Sequence, residues 1–155
     1  KSSLVVVAER QEKGRGRFGR EWSSGSGGLY MTIVLREKDL DKAKYLTFIA
    51  AVSVAKVICK IADLDAKVKW PNDVLIGHKK ICGILTETIS GNEKYALVGI
   101  GLNANQKKFP KSIMRNSTSL KIESNKDYDT KKISNLTGRY SQNSRRTSQL
   151  LLKNS

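Results

Sequence analysis

Residues 14–19 read GRGRFG, and they follow the apolar run LVVVA at residues 4–8. Glycines spaced G-x-G-x-x-G after a strand-like segment, with an acidic residue, Glu37, about 20 residues further on, are the fingerprint of a dinucleotide-binding turn in a parallel α/β fold. The residues after Gly19 decide against that fold. A dinucleotide-binding turn opens straight into a helix, whose first backbone amides hold the pyrophosphate. Here the chain continues REWSSGSGG through residues 20–28, too rich in Gly and Ser to sustain a helix, and an apolar run resumes at residues 29–35. The loop therefore joins two strands. It also carries Lys13, Arg15, Arg17 and Arg20, where a dinucleotide turn presents bare backbone. Glycine lets such a loop close on a ligand and arginine offers forked donors to phosphate or carboxylate, so the ligand it suits is an anion. Its like charges repel one another until that anion arrives, which predicts a loop that is mobile when empty and closed when filled.

Outward from the loop, the runs at residues 4–8 and 29–35 are continuous and apolar and read as buried strands. From Asp39, an N-cap residue type, the apolar positions Leu46, Ala50, Val54, Val57, Ile61 and Leu64 recur every three or four residues, which predicts a long core-facing helix. Short apolar runs at residues 68–70, 74–76, 81–87 and 95–102 are separated by PND, GHKK and SGNEK, the turn chemistry of an antiparallel meander. Past Pro110 the signal weakens to one short amphipathic helix around Ile133, Leu136 and Tyr140. The fold class is thus α+β, a mostly antiparallel mixed sheet with helices packed on it. Residues 1–140 form one domain, and residues 141–155 are a basic tail expected to fray.

Composition narrows the partners. The chain has 155 residues, 39% of them hydrophobic, with 29 Lys and Arg against 14 Asp and Glu for a net charge of +15. Such a balance calls for an acidic partner without choosing among nucleic acid, a phosphorylated ligand, an anionic membrane and an acidic protein. Cys59 and Cys82 lie in apolar segments without C-x-x-C spacing, which points to a reduced, cytoplasmic protein. No apolar stretch reads as approaching the roughly 18 residues of a membrane span, and no signal peptide opens the chain. The chain starts at Lys1, close to a strand and without Met, and reads as cut there. The single histidine, His78, sits in the GHKK turn and is expected to be solvated, so no protein metal site and no nucleophilic cysteine are assigned.

Four stretches place Lys, Arg, Asn or Asp beside Gly or Pro at strand ends: EKGRGRFGREW from residue 12, KWPND from residue 69, KKICGILTE from residue 79 and GIGLNAN from residue 99. Taken singly, KWPND and GHKK read more readily as solvated hairpin turns than as a site. In this order, over residues 8–105 and more loosely in SLKIE at residues 119–123, the stretches resemble the catalytic domain of biotin protein ligase, the biotin carboxyl carrier protein ligase family. The resemblance implies a class II synthetase-like fold. It also implies an ATP-dependent ligase that activates biotin to biotinyl-5′-AMP and transfers it to a lysine of a carboxylase carrier domain, with Mg²⁺ held mostly by phosphate oxygens and water.

The same resemblance implies roles. Arg15 and Arg17, with the backbone of Gly14 and Gly16, bind the phosphates, and Gln11 offers an amide to the biotin ring. Lys80 sits as a point charge between carboxylate and α-phosphate, and Asn72 and Asp73 lie near the phosphates. Trp22 stacks on adenine, Asn103 reads its amino edge, and Gly83, Gly99 and Gly101 clear room for the biotin ring and tail. Lys80, Arg15, Arg17 and Asp73 are the catalytic set. Because strand neighbours alternate faces, only one of Lys79 and Lys80 can face the site. Trp70 and Pro71 set a turn. Plainer readings stand beside these: Arg15 and Arg17 as part of an exposed basic loop, and Trp22 as a core aromatic.

The chain departs from the family pattern at Phe18, where an Arg is often found. Neither the family's Ser-Thr-Asn turn before the first strand nor its small C-terminal SH3-like barrel is expected here, and without a helix-turn-helix domain neither is repression. Nucleic acid and membrane are not expected partners, and a homodimer is left open. The competing readings are a lipoate ligase of the same fold, an inactive truncated relative, and a basic nucleic-acid-binding module. The last would need aromatics interleaved with the basic residues, and the loop offers only Phe18 and Trp22.

Overall fold

The computed structural model describes residues 3–36, 41 and 43–151, with side chains from residue 4 through residue 141. Six strands, β1 (Ser3–Ala8), β2 (Leu29–Arg36), β3 (Ala66–Lys69), β4 (Asp73–Ile76), β5 (Lys79–Ser90) and β6 (Lys94–Leu102), form one sheet in the order β1-β2-β6-β5-β4-β3. Every strand pair is antiparallel. The expected meander is β3 to β6, and the sheet is completed by β2 docking along β6, Leu29 opposite Leu102 and Arg36 opposite Tyr95. This is the α+β architecture expected, with no parallel strand pair among the described residues.

Helix α1 (Ala43–Ala62) covers one face of the sheet. Its buried positions Leu46, Ala50, Val54 and Val57 fall at helical spacing, joined by Ile58, and they share one core with Met31, Ile33, Ile84, Val98 and Ile100. Asp63 closes the helix in the left-handed region at φ 54, its amide donating to the Cys59 carbonyl. The expected N-cap Asp39 and the acidic Glu37 lie outside the described residues. No membrane-length apolar stretch was expected, yet α1 is long and apolar enough for one, with a mean hydropathy of 1.8. Its apolar content serves the core, since the residues that raise the hydropathy include those pressed on the sheet.

Two elements differ from expectation. The run LVVVA forms a strand but not a buried one: β1 is an edge strand, and Leu4, Val5, Val6 and Val7 are 62%, 40%, 51% and 48% exposed. A continuous apolar run reads alike at the edge and in the middle of a sheet, because burial depends on what covers its two faces. The expected short helix near residue 136 is instead α3 (Thr130–Leu151), which runs through Gly138 into the stretch expected to fray. No proline follows Pro110, and Gln, Arg and Leu favour helix. Its first half is anchored by Ile133 and Thr137, buried where α3 packs on α1.

A segment between β6 and the short helix α2 (Leu120–Ser124) runs alongside the start of β5, with Ser117 in a parallel bridge to Lys80. The Lys80 amide donates to the Asn116 carbonyl at 2.8 Å, and the Thr118 amide donates to the Lys80 carbonyl at 3.0 Å. Ser119 caps α2 by accepting from the Ile122 amide at 3.1 Å.

Candidate functional site

The loop between β1 and β2 folds over the middle of the sheet. It is a tight hairpin: the Gly16 amide donates to the Arg20 carbonyl at 2.7 Å and the Trp22 amide to the Gly14 carbonyl at 2.9 Å. Its apex is a 3₁₀ turn, Arg17–Gly19, in which Phe18 and Gly19 have φ of 58 and 70. Phe18 thus holds a left-handed conformation that a side chain disfavours. At the base, Gly14 is buried, and a Cβ there would collide with the Ser24 hydroxyl and the Trp22 carbonyl. Ser24 donates its hydroxyl to Gln11 Oε1 at 2.7 Å, fixing that amide at the rim.

Trp22 follows the hairpin down onto the sheet. Its indole lies across Gly83 and Gly101, which face each other between β5 and β6. A Cβ at Gly101 would strike the indole, and one at Gly83 would come within 3.1 Å of it. The room cleared by these glycines, expected for a biotin ring, is taken by Trp22. Its Nε1–H is buried with no hydrogen-bond partner among the described residues. The Lys80 ammonium stands 5.1 Å from the ring and forms an ion pair with Asp73 Oδ1 at 2.8 Å. Of the two neighbouring lysines, Lys80 lines the cleft.

Both loop arginines are held by the sheet side of the cleft. Arg15 Nη2 pairs with Glu87 Oε2 at 2.9 Å, and Arg17 Nη1 donates to Asn72 Oδ1 at 3.1 Å while its guanidinium lies 4.8 Å from the Phe18 ring. Asn72 is itself fixed to β5: its side-chain amide donates to the Ile84 carbonyl at 3.2 Å, and its own carbonyl accepts from the Ile84 amide at 2.8 Å. The free, self-repelling loop expected from its charges is instead tied at two points. The resulting cleft encloses about 200 Å³ and is lined by the cations Lys13, Arg15, Arg17 and Lys80 against one carboxylate, Glu87.

Gln11, Arg15, Gly16, Arg17, Trp22, Asn72, Lys80, Gly83, Gly99 and Gly101 all line this cleft. Asp73 reaches it through Lys80, and Gly14 supports the loop from below. Asn103 stands apart. It is 4% exposed, and its side-chain amide donates to the Thr118 carbonyl at 3.0 Å, so it braces the segment that flanks Lys80 and does not line the cleft. Sequence reasoning counted Lys13 among the loop cations without giving it a place in the site, and it missed Glu87 as a lining residue. Strand alternation from Gly83 through Leu85 would have found Glu87.

Burial pushes the Cys82 thiol well above its ordinary range, with Lys80 opposing and Asp73 reinforcing that shift, so it is no nucleophile. Tyr30, beneath the loop, is raised by burial and partly offset by its bond from Gln106, and it donates to the Gly25 carbonyl at 2.6 Å. His78 is exposed, and no group of three metal-ligating side chains occurs among the described residues.

The family model of the biotin/lipoate A/B protein ligase family matches residues 1–105 of the chain. The bifunctional ligase/repressor BirA of Bacillus subtilis strain 168 is 42% identical over 122 residues, covering 75% of this chain and 38% of the relative. The biotin--[acetyl-CoA-carboxylase] ligase of Paracoccus denitrificans is 36% identical over 106 residues, covering 66% of this chain and 44% of its own length. The chain thus spans less than half of either curated relative. Among solved structures, the biotin protein ligase from Aquifex aeolicus in complex with biotin and ATP superposes with a TM-score of 0.82 at 36% identity, over 90% of this chain and 59% of that one. That from Leishmania major in complex with biotinyl-5-AMP gives 0.74 at 26% identity, over 90% and 63%.

Proposed function

Because the chain belongs to the biotin/lipoate A/B protein ligase family, we propose that its cleft joins biotin to ATP as biotinyl-5′-AMP and passes the biotinyl group to a lysine of a carboxylase carrier domain. The observation that carries this reading is the convergence of Lys13, Arg15, Arg17 and Lys80 on one cleft. In the first step a biotin carboxylate oxygen bonds to the α-phosphorus while the bond to pyrophosphate breaks. Two anions must approach each other, and fixed cations relieve that repulsion most where water is thin. Lys80, anchored by Asp73 and clamped through its backbone on both sides, is the cation best fixed for the α-phosphate. Arg15 and Arg17 hold the departing phosphates, exchanging Glu87 and Asn72 for phosphate oxygens.

Trp22 supplies the room for the nucleotide. A cleft of about 200 Å³ is small beside the roughly 300 Å³ and upward usual for a ligand site. The indole's hydrogen-bond donor is buried and unpaired, a condition that costs about 1 to 3 kcal/mol. No side-chain hydrogen bond therefore ties Trp22 to its glycine floor, and swinging outward lets it present the same ring face to adenine. The residues present make no cage for Mg²⁺, since Asp73 is engaged by Lys80 and Glu87 by Arg15. That ion would come with the nucleotide, held by phosphate oxygens and water, and would offset charge on the phosphates. We place the reaction in the cytoplasm, a reading supported by two unpaired thiols.

The test is isotope exchange between pyrophosphate and ATP, with native mass spectrometry for bound biotinyl-adenylate. Exchange that requires biotin is the expected result. Exchange driven by lipoate or octanoate in its place would replace this reading with a lipoate ligase, and no exchange with either would leave a relative that does not turn over.

A further inference from the structure

Beyond Arg17, on the far side from the Trp22 floor, a second groove runs between the start of α1 and the turn joining β3 to β4. Its walls are Tyr45 and Phe48 on one side, Trp70 and Pro71 on the other, with Leu85 at its base and Lys44 at its rim. Tyr45 and Phe48 are three residues apart on α1 and so share a helix face. They are 54% and 46% exposed, and Trp70 is 78% exposed. Aromatic side chains bury most of their surface when a fold can use it, and two left about half exposed with a third, Trp70, mostly exposed along one groove mark a surface for a partner. The groove is continuous with the cleft, sharing Arg17, Ile84 and Leu85 with it.

We propose that this groove docks the folded protein domain that receives the biotinyl group, an acidic domain that presents its lysine toward Arg17 and the cleft beyond. The inference rests on the function proposed for the cleft and adds the surface that selects the acceptor. Continuity is the first argument: whatever sits on Trp70 and Tyr45 is already beside the activated acyl group. There the acceptor amine bonds to the acyl carbon, the acyl–phosphate bond breaks, AMP leaves, and the amine's proton passes to solvent. Charge is the second. The groove's charged residues are Lys44 and Arg17, on a chain of net charge +15, so an acidic domain is steered in. A second copy would bring the same excess of positive charge against it. A nucleic acid would need a basic track along its backbone, whereas between its two cations the groove is lined by aromatic and aliphatic side chains and by Thr47 and Thr86, whose hydroxyls bond to each other.

The test uses the full chain, the unbiotinylated carrier domain of an acetyl-CoA carboxylase, and hydroxylamine as a small acceptor that needs no docking. Trp70→Ala and the double variant Tyr45→Ser/Phe48→Ser are expected to raise the KM for the carrier domain at least about tenfold, the scale for losing an aromatic anchor. Pyrophosphate exchange and transfer to hydroxylamine should stay within twofold. Carrier KM unchanged in the double variant, with exchange intact, overturns the proposal. Should the parent chain show no exchange, carrier binding followed by tryptophan fluorescence still decides the groove: binding lost in the double variant supports docking while the ligase reading falls, and binding kept in it overturns docking. Loss of a dimer in sedimentation, or of oligonucleotide binding, with carrier affinity untouched would assign the groove to a second copy or to nucleic acid and likewise overturn it.

Discussion

Lys80 reaches the cleft from the second residue of β5, with its ammonium 2.8 Å from Asp73 and its backbone bonded on both sides to residues 116 and 118. A lysine so held has already lost much of the rotamer freedom that a free one would surrender on meeting a phosphate. Lys80→Ala should therefore lower biotin-dependent pyrophosphate exchange at least about 100-fold, the scale for removing one transition-state charge contact. Lys79→Ala, its neighbour on the strand, should remain near the parent, and the reverse outcome would reassign the catalytic cation. Glu87 is a partner of a different kind. Its pair with Arg15 is 71% and 42% exposed, and such pairs contribute at most about 1 kcal/mol. Glu87→Gln should thus speed tryptic cleavage after Arg15 a few-fold in dilute buffer, and the difference should vanish in molar salt, where screening acts over about 3 Å. Equal cleavage at low salt would show that Glu87 does not hold the loop. The cysteines separate by burial: at pH 8, iodoacetamide should modify the exposed Cys59 and spare Cys82 until the protein unfolds.

At the scale of elements, the site is a hairpin laid on a pair of glycines. Gly101→Ala leaves the strand pairing possible but puts a methyl group where the indole lies. It should push the indole off its glycine floor, whereas Trp22→Ala removes the ring itself and should raise the KM for ATP much more than that for biotin, since one stacking contact is worth roughly 1 to 3 kcal/mol. Equal effects on both substrates would make Trp22 a structural residue. Periodicity made α1 legible, and turn chemistry made the β3–β6 meander legible, because both signals lie within a few consecutive residues. The character of the loop was legible too: glycines and arginines in that order speak of an anion. What holds the loop was not, since Arg15 and Arg17 find partners 72 and 55 residues away. The surroundings of Asn103 were illegible for a related reason. An asparagine at a strand end reads as an offered amide, and only the tertiary fold reveals that the Thr118 carbonyl has taken it. The faces of β1 were equally unreadable, because an apolar strand does not encode whether it will lie at an edge.

On the scale of the whole molecule, the apolar core and the cleft lie in different layers. The core that α1 shares with the sheet is largely apolar, and Ile58 within it has no exposed surface. Ile58→Ala should destabilise by about 2 to 5 kcal/mol in thermal unfolding, whereas Val6→Ala, at a position 51% exposed, should stay within about 0.5 kcal/mol. A comparable loss at Val6 would mean that β1 is covered in solution. The order of the sheet has a kinetic consequence. Hairpins among β3, β4, β5 and β6 close short loops, but the seam between β2 and β6 joins strands separated by the whole of α1 and the meander. Closing a longer loop costs more chain entropy before any contact repays it, and sheets dominated by distant pairs fold in milliseconds to seconds. Refolding should be paced by that seam. Because Trp22 has no floor until Gly101 has been brought beside Gly83, and is not carried onto that floor until β2 has docked on β6, its fluorescence should mature with the last step and not the first.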